Sequence, residues 1–348
     1  MMRSGAMAAT ALALLAAISW TGASVAREEA TAPPEHRRPP DQTFLTYPEW
    51  FLVHSPAEYA DYVRDHMPTR FPFQGHVAQF WQSYRAVYDR VRSEYPLNAG
   101  YHVMIMVIGI STTVEYEIRS GYETIIGRLS GLTAGGVLSE EDGYGAAVAR
   151  DYVDFIRVQP WYEYDFFGRL IGLWKQNSLW GPAPLRKWER KYALTTEYAI
   201  KAGYGWLIKK GTKASYDAPL PVTAVLLSRD PGAMPPGLTQ TTILSTLPDG
   251  RVLATVPRYD AFMRYADALA QNGVEFVEIA GNRSVILVTV LAPDDWVVPP
   301  QSKSLFTQPV ITRPGQKRFA VEVPIGGLGA FLNGVRGNGV VLEHVYDF

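Results

Sequence analysis

The sequence predicts an α+β multidomain protein: a duplicated (3+3) helical bundle over residues 47–216, followed by a ferredoxin-like α/β sandwich over residues 217–348. Three observations predict it. Apolar residues recur at helical spacing from Tyr47 to Tyr216, the texture turns to short β-rich segments after Pro219, and each half contains its own internal repeat.

The chain opens with Arg3, an apolar stretch Ala6–Trp20 and the small-x-small run Ser24-Val25-Ala26, so residues 1–26 read as a secretory signal peptide. A retained N-terminal anchor is the rival reading, although the stretch is shorter than the ~20 residues a membrane span needs. Residues 27–46, with paired prolines at 33–34 and 39–40 and mixed charge, read as a disordered tether. The chain has no cysteine, which excludes a lipid-modified N-terminal Cys, disulfides, thiolate metal sites and Cys nucleophiles. Its 33 Lys and Arg against 34 Asp and Glu give no reason to expect nucleic acid as a partner. These features place the protein outside the cytoplasm, periplasmic or attached to the outer face of an inner membrane.

Six helices are expected, over 56–66, 74–94, 99–130, 140–158, 163–177 and 185–214. Ser55-Pro56-Ala57-Glu58 reads as a capping box with proline in the first turn, and Ser139 before Glu140, Glu141 and Asp142 as a second helix start. The six look like two copies of three. Thr113–Tyr122 aligns with Thr195–Tyr204 at an offset of 82, Phe73–Trp81 aligns with Phe166–Trp174, and Asp61-Tyr62-Val63 aligns with Asp151-Tyr152-Val153. A two-copy repeat implies that neither copy buries its apolar face alone.

Glu115 and Glu197 occupy equivalent positions in apolar helices and could meet across a pseudo-twofold axis to bind metal or share a proton. Arg119 and Lys201 follow them at i+4, the favourable orientation for intrahelical pairs, and the Glu-x-x-His of bundle metal sites is missing from both copies. A structural role is therefore the better reading, and no metal or cofactor is expected. Gly121 and Gly203 are expected to allow close helix approach, with Tyr116, Tyr198, Tyr122 and Tyr204 filling the groove.

Residues 186–213 form a basic strip in which Arg186, Lys187, Arg190, Lys191, Lys201, Lys209, Lys210 and Lys213 interleave with Tyr and Trp. Arg190, Lys191, Trp206, Lys209, Lys210 and Lys213 are its candidates for contact with an anionic membrane surface. Packing against the acid-rich segment 139–165 is the competing reading, and a protein partner the third. The run Tyr101–Ile110 is too short to cross a bilayer and reads as buried helix, with His102 a core histidine. His76 aligns with Arg169, favouring a positively charged packing or anion contact. Glu49 with His54, in an aromatic cluster that starts at Tyr47, is the remaining acid/base candidate.

In the second half, Arg251–Pro257 reads as a strand, Tyr259–Gln271 as a helix and Val274–Ile279 as a strand, with Asn272-Gly273 between. Arg318–Pro324, Gly326–Val335 and Val340–Tyr346 repeat the order, and Ser284–Leu291 is expected to form a hairpin with the strand before it. Gly326-Gly327-Leu328-Gly329 lacks the third glycine of a dinucleotide loop, and there is no Gly-x-Ser-x-Gly elbow. The function expected is that of a non-enzymatic cell-envelope protein peripheral to a membrane or a membrane protein, acting as a scaffold or binding module and open to homo-oligomerisation. The alternative is an envelope enzyme with an interdomain acid/base site built on Glu49 and His54 or on Glu115 and Glu197.

Overall fold

A computed structural model describes residues 30–215, 222–232, 241–337 and 339–348; the expected signal peptide and Asn338 lie outside these residues. Helices make up the N-terminal part and two antiparallel sheets dominate the C-terminal part, an α+β architecture. The helices are α1 (Gln42–Val63), α2 (Phe73–Val91), α3 (Ala99–Tyr122), α4 (Arg128–Thr133), α5 (Glu140–Ile156), α6 (Phe166–Gln176) and α7 (Pro184–Ser215). A single π turn, Glu123–Gly127, carries α3 into α4.

Helix α5 starts as its sequence predicts. The Asp142 N–H donates to Ser139 Oγ at 3.1 Å, and the Ser139 N–H donates back to Asp142 Oδ2 at 2.9 Å. Helix α1 does not. It begins at Gln42 and contains both Pro48 and Pro56, so Ser55 is no N-cap. Phe44, Leu45, Tyr47, Trp50 and Phe51 are all buried along it. At ~1.5–3 kcal/mol per buried apolar side chain, they outweigh two interior prolines at ~3 kcal/mol each.

The segment expected to be a disordered tether is held in place from residue 30 onward. The N–H groups of Thr31 and Ala32 donate to the Glu278 carboxylate at 2.9 and 2.7 Å, and the Arg38 N–H donates to the Ala280 carbonyl at 2.9 Å.

The aligned sequence blocks make matching contacts. The Trp81 indole N–H donates to Thr113 Oγ1 at 3.0 Å, and the Trp174 indole N–H donates to Thr195 Oγ1 at 3.0 Å. Phe71 meets Phe73 with ring centroids 4.9 Å apart, and Tyr164 meets Phe166 at 4.8 Å. Tyr116 and Tyr198 are buried as expected, but Tyr204 is 42% exposed, and Gly121 and Gly203 play no part in close packing: a Cβ at either would meet nothing within 4 Å. The tight approach occurs at Gly109, where a Cβ would lie 2.3 Å from the Phe80 ring.

Strands β1 (Val222–Leu227), β2 (Thr242–Thr246), β3 (Val252–Pro257) and β4 (Phe276–Ile279) form one sheet in the order β2-β3-β1-β4. Strands β5 (Val285–Pro293), β6 (Lys303–Pro309), β7 (Gln316–Pro324) and β8 (Val341–Val345) form the other in the order β6-β7-β5-β8. Helix α8 (Asp260–Gln271) joins β3 to β4, and α9 (Leu328–Gly334) precedes β8. Each unit is thus β-β-β-α-β. The register shifts at Leu226/Leu227 in the first sheet and at the matching step Thr289/Val290 in the second.

This corrects two expectations. The β-α-β units do not interleave in a single ferredoxin-type sheet, and β4 and β5 are no hairpin, since they lie in different sheets. The early strands β1, β2 and β6 carry weak repeat signal in sequence, so only the later half of each unit is legible there.

The inner faces of both sheets share one core with α8 and α9, including Val225, Val256, Phe262, Val288, Val321 and Leu328. The other face of the second sheet carries α1 and α2, with Leu287, Ala320 and Tyr346 packed against Phe44, Phe51 and Phe80. The Leu287 N–H donates to Thr43 Oγ1 at 2.9 Å, and Gln308 Nε2 donates to the Gln79 carbonyl at 2.6 Å.

Candidate functional site

Helices α3 and α7 bring Glu115 and Glu197 together, bridged by bases. Arg119 Nη1 lies 3.4 Å from both carboxylates, and Lys201 Nζ lies 3.1 Å from Glu115 and 2.8 Å from Glu197. Burial alone would raise the Glu197 carboxyl, but Arg119 and Lys201 reverse this and hold it down at about 2. Both carboxylates are thus engaged by bases rather than by each other. Among the described residues no group of three or more His, Asp or Glu is placed to hold a metal ion.

The basic strip divides along its length. Arg186 and Lys187 are buried, as are two of the proposed surface contacts, Arg190 and Lys191. Arg186 meets Asp142 at 2.6 Å, Arg190 meets Glu123 at 2.9 Å, and Lys191 meets Glu141 at 3.0 Å. Arg190 and Lys191 therefore present no charge to an external surface, because acids of the 139–165 segment and of the π turn take them inside. Further along, Lys209 pairs with Glu163, while Lys210 is exposed and lies over the Trp206 ring at 4.1 Å. The side chain of Lys213 lies outside the described residues.

Glu49 and His54 leave α1 on different sides and do not form an acid/base pair. His54 faces the second sheet, its Nδ1 3.5 Å from Glu343 Oε1. Burial drives its pKa down to about 4, with Glu343 opposing, so the ring is neutral near pH 7. Arg318 anchors this layer, reaching Glu343 at 2.6 Å and Glu58 at 3.0 Å. His76 likewise is neutral rather than cationic, lowered to about 3 by burial and by Arg318. Its Nδ1 lies 3.0 Å from Ser55 Oγ and its Nε2 lies 3.6 Å from Glu58. This hydroxyl–imidazole–carboxylate line resembles a nucleophile relay, but all three groups are buried and Ser55 Oγ also contacts the Tyr116 hydroxyl at 2.7 Å. It is an interior polar network.

Glu49 faces a cleft of about 210 Å³ between α1, the chain after α5 and the turn after β3, lined also by Trp50, Arg157, Trp161 and Tyr259. Burial pushes its carboxyl up to about 7, against the lowering effect of a hydrogen bond with Tyr101. Arg157, Trp161 and Tyr259 are not marked as site residues by the sequence. No local motif marks them, because the 157–161 segment and Tyr259 are distant in sequence from Glu49 and from each other.

The most extended surface feature is apolar. On α3 and α4 the exposed side chains include Val103, Val107, Ile110, Val114, Ile118, Ile125, Leu129 and Leu132. On α7 they include Leu185, Trp188, Tyr192, Ile200, Trp206 and Leu207. The aligned pair Ile118 and Ile200 are 68% and 64% exposed. Trp174 and Trp188 meet at 6.0 Å, and Tyr122 and Tyr192 at 6.5 Å, linking α6, α7 and α3 into one surface. The first two turns of α7 are therefore inverted: Arg186, Lys187, Arg190 and Lys191 point inward while Leu185, Trp188 and Tyr192 point outward. No helix among the described residues is long and apolar enough to cross a membrane. Comparison with protein-family models, curated proteins and solved structures finds no match to the chain.

Proposed function

We propose that this is an exported, non-enzymatic cell-envelope protein that lies on a membrane through the apolar face of α3, α4, α6 and α7. Its sheet domain then serves as the scaffold or binding module held at that surface. The single observation that carries this reading is the inverted polarity at the start of α7, continued by an exposed apolar row along the helix. Arg186, Lys187, Arg190 and Lys191 are buried in ion pairs while Trp188, Tyr192, Ile200 and Trp206 are exposed.

In a bundle surrounded by water, the hydrophobic effect favours the opposite arrangement. Ionisable groups turned inward and paired, with apolar groups outward, fit helices in contact with hydrocarbon. From residue 103 to 132 the apolar row extends about 45 Å at ~1.5 Å per residue, far beyond the isolated patches of ordinary surfaces. A face apolar on one side only suits a helix lying in the interface rather than spanning it. Exposed Trp206 beneath Lys210 has the chemistry of an interfacial anchor beside anionic headgroups. We further infer a 3+3 duplication for the helical part, supported by the paired Trp–Thr bonds and the aligned Ile118 and Ile200.

Co-sedimentation of the full chain with phosphatidylglycerol-containing vesicles tests this. Binding should fall at least tenfold in the double variant Ile118→Glu, Ile200→Glu while the fold is kept. Unchanged vesicle binding by that variant overturns the proposal. So does a vesicle-indifferent wild type whose apolar face is covered by a second copy in solution.

A further inference from the structure

We propose that the cleft between Glu49 and Arg157 is a binding site for a small zwitterion, whose ammonium group meets Glu49 and whose anionic group meets Arg157. The inference is independent of the membrane reading. Glu49 and Arg157 are the two charged residues lining the cleft, and among the described residues neither enters an ion pair with any other group. An acid and a base that line one cavity without forming an ion pair leave room for a ligand carrying both complements, and an arriving ammonium would favour the ionised form of the buried Glu49 carboxyl. A carboxylate flanked by aromatic rings suits an organic ammonium, and a guanidinium suits a carboxylate or phosphate.

The aromatic walls are held in place from behind. Trp50 stacks on His344 with ring centroids 3.5 Å apart, and Trp161 stacks on Tyr204 at 5.5 Å. Tyr259 has φ +63° and ψ −135°, a backbone conformation that side-chain-bearing residues rarely adopt. Asp347 enforces it, accepting the Tyr259 N–H at 3.1 Å and Arg258 Nε at 3.0 Å. Such strain persists only where the surroundings over-determine it, and strained residues cluster at binding sites. Walls fixed before binding lower the entropy cost of capture. A cleft of about 210 Å³ suits a small ligand such as an amino acid or a phospholipid headgroup.

Isothermal titration of the full chain with two soluble probes, L-leucine and glycerophosphoethanolamine, tests the site. At least one should bind, and leucine alone points to a free amino acid whereas glycerophosphoethanolamine alone points to a lipid headgroup. Isopentylamine and 4-methylpentanoate, which each keep one charge of leucine, should bind at least tenfold more weakly than the zwitterion. Glu49→Gln and Arg157→Gln should each weaken binding at least tenfold with an unchanged near-ultraviolet spectrum. If the first variant fails to fold, the second decides alone, since Arg157 is half-exposed in a loop. Binding of neither probe, equal binding of a singly charged analogue, or full affinity in the folded variants overturns the proposal.

Discussion

Arg186 and Asp142 form a fully buried ion pair, 2.6 Å between Nη2 and Oδ1, that ties the start of α7 to the first turn of α5. Asp142 also closes the α5 capping box, so one carboxylate both ends a helix and neutralises an interior guanidinium. Removing one member of a buried pair costs roughly 3–5 kcal/mol, because the other stays desolvated and uncompensated. Asp142→Asn should therefore lower the unfolding free energy by about that amount in urea titration. The half-exposed Glu115 offers a contrast: Glu115→Gln should cost no more than about 1 kcal/mol, as water screens what remains.

Two of the buried histidines, His54 and His76, set an acid limit. The native pKa values of His54 and His76, about 4 and about 3, lie below the ordinary 6.5. Between these limits the unfolded chain binds more protons than the native one, so stability is complete above 6.5 and falls as pH drops toward 4 and 3. His76→Asn should flatten part of that slope in a series of urea midpoints from pH 7 to pH 3. A slope identical to wild type would show that His76 is not neutral in the native state.

Glu49 acts in the opposite direction. Its native pKa of about 7 stands above the ordinary 4.5, so its contribution is fully present below 4.5 and is lost as pH rises through 7. Glu49→Gln should remove this loss and make the protein relatively more stable at pH 8 than at pH 5, compared with wild type. Thermal unfolding at the two pH values measures it.

The glycines separate by space rather than by sequence context. Gly109→Ala would place a methyl 2.3 Å from Phe80 and 2.8 Å from Trp81, and should destabilise the protein by about 1–3 kcal/mol through overpacking of α2 on α3. Gly121→Ala and Gly203→Ala meet nothing within 4 Å and should each stabilise their helix by about 0.5–1 kcal/mol. Denaturant midpoints of the three variants test this ordering.

On the apolar face, Lys210→Gln should weaken binding to phosphatidylglycerol vesicles about fivefold, the effect of ~1 kcal/mol per basic residue near an anionic surface. Lys191→Gln should instead unfold or destabilise the protein, since Lys191 is buried against Glu141. Vesicle titration alongside thermal unfolding distinguishes the two lysines, which look alike in sequence.

Helix boundaries were legible in the sequence wherever apolar period and capping chemistry agreed: α2, α5, α6 and α7 fall within three residues of expectation. The repeat in the helical part was legible because Trp81 and Trp174, with Thr113 and Thr195, must keep both identity and spacing to make their hydrogen bonds. Helix α1 was not, since two prolines argue locally against a helix that only burial on the second sheet sustains. The site was less legible still. Glu49 and His54, five apart on α1, point to different sides, and Arg157 and Tyr259 come to line the cleft beside Glu49 only through folding.

The sequence by itself determined that residues 186–213 carry rows of charge and rows of apolar and aromatic groups on a helix. Only the tertiary structure decided which row faces inward. Periodicity sets the phase of a helix but not its sign, and a charged row can be buried only when counter-charges are supplied about 3 Å away by segments distant in the chain. Asp142, Glu141 and Glu123 supply them here, and that places Trp188, Tyr192 and Trp206 on the outside.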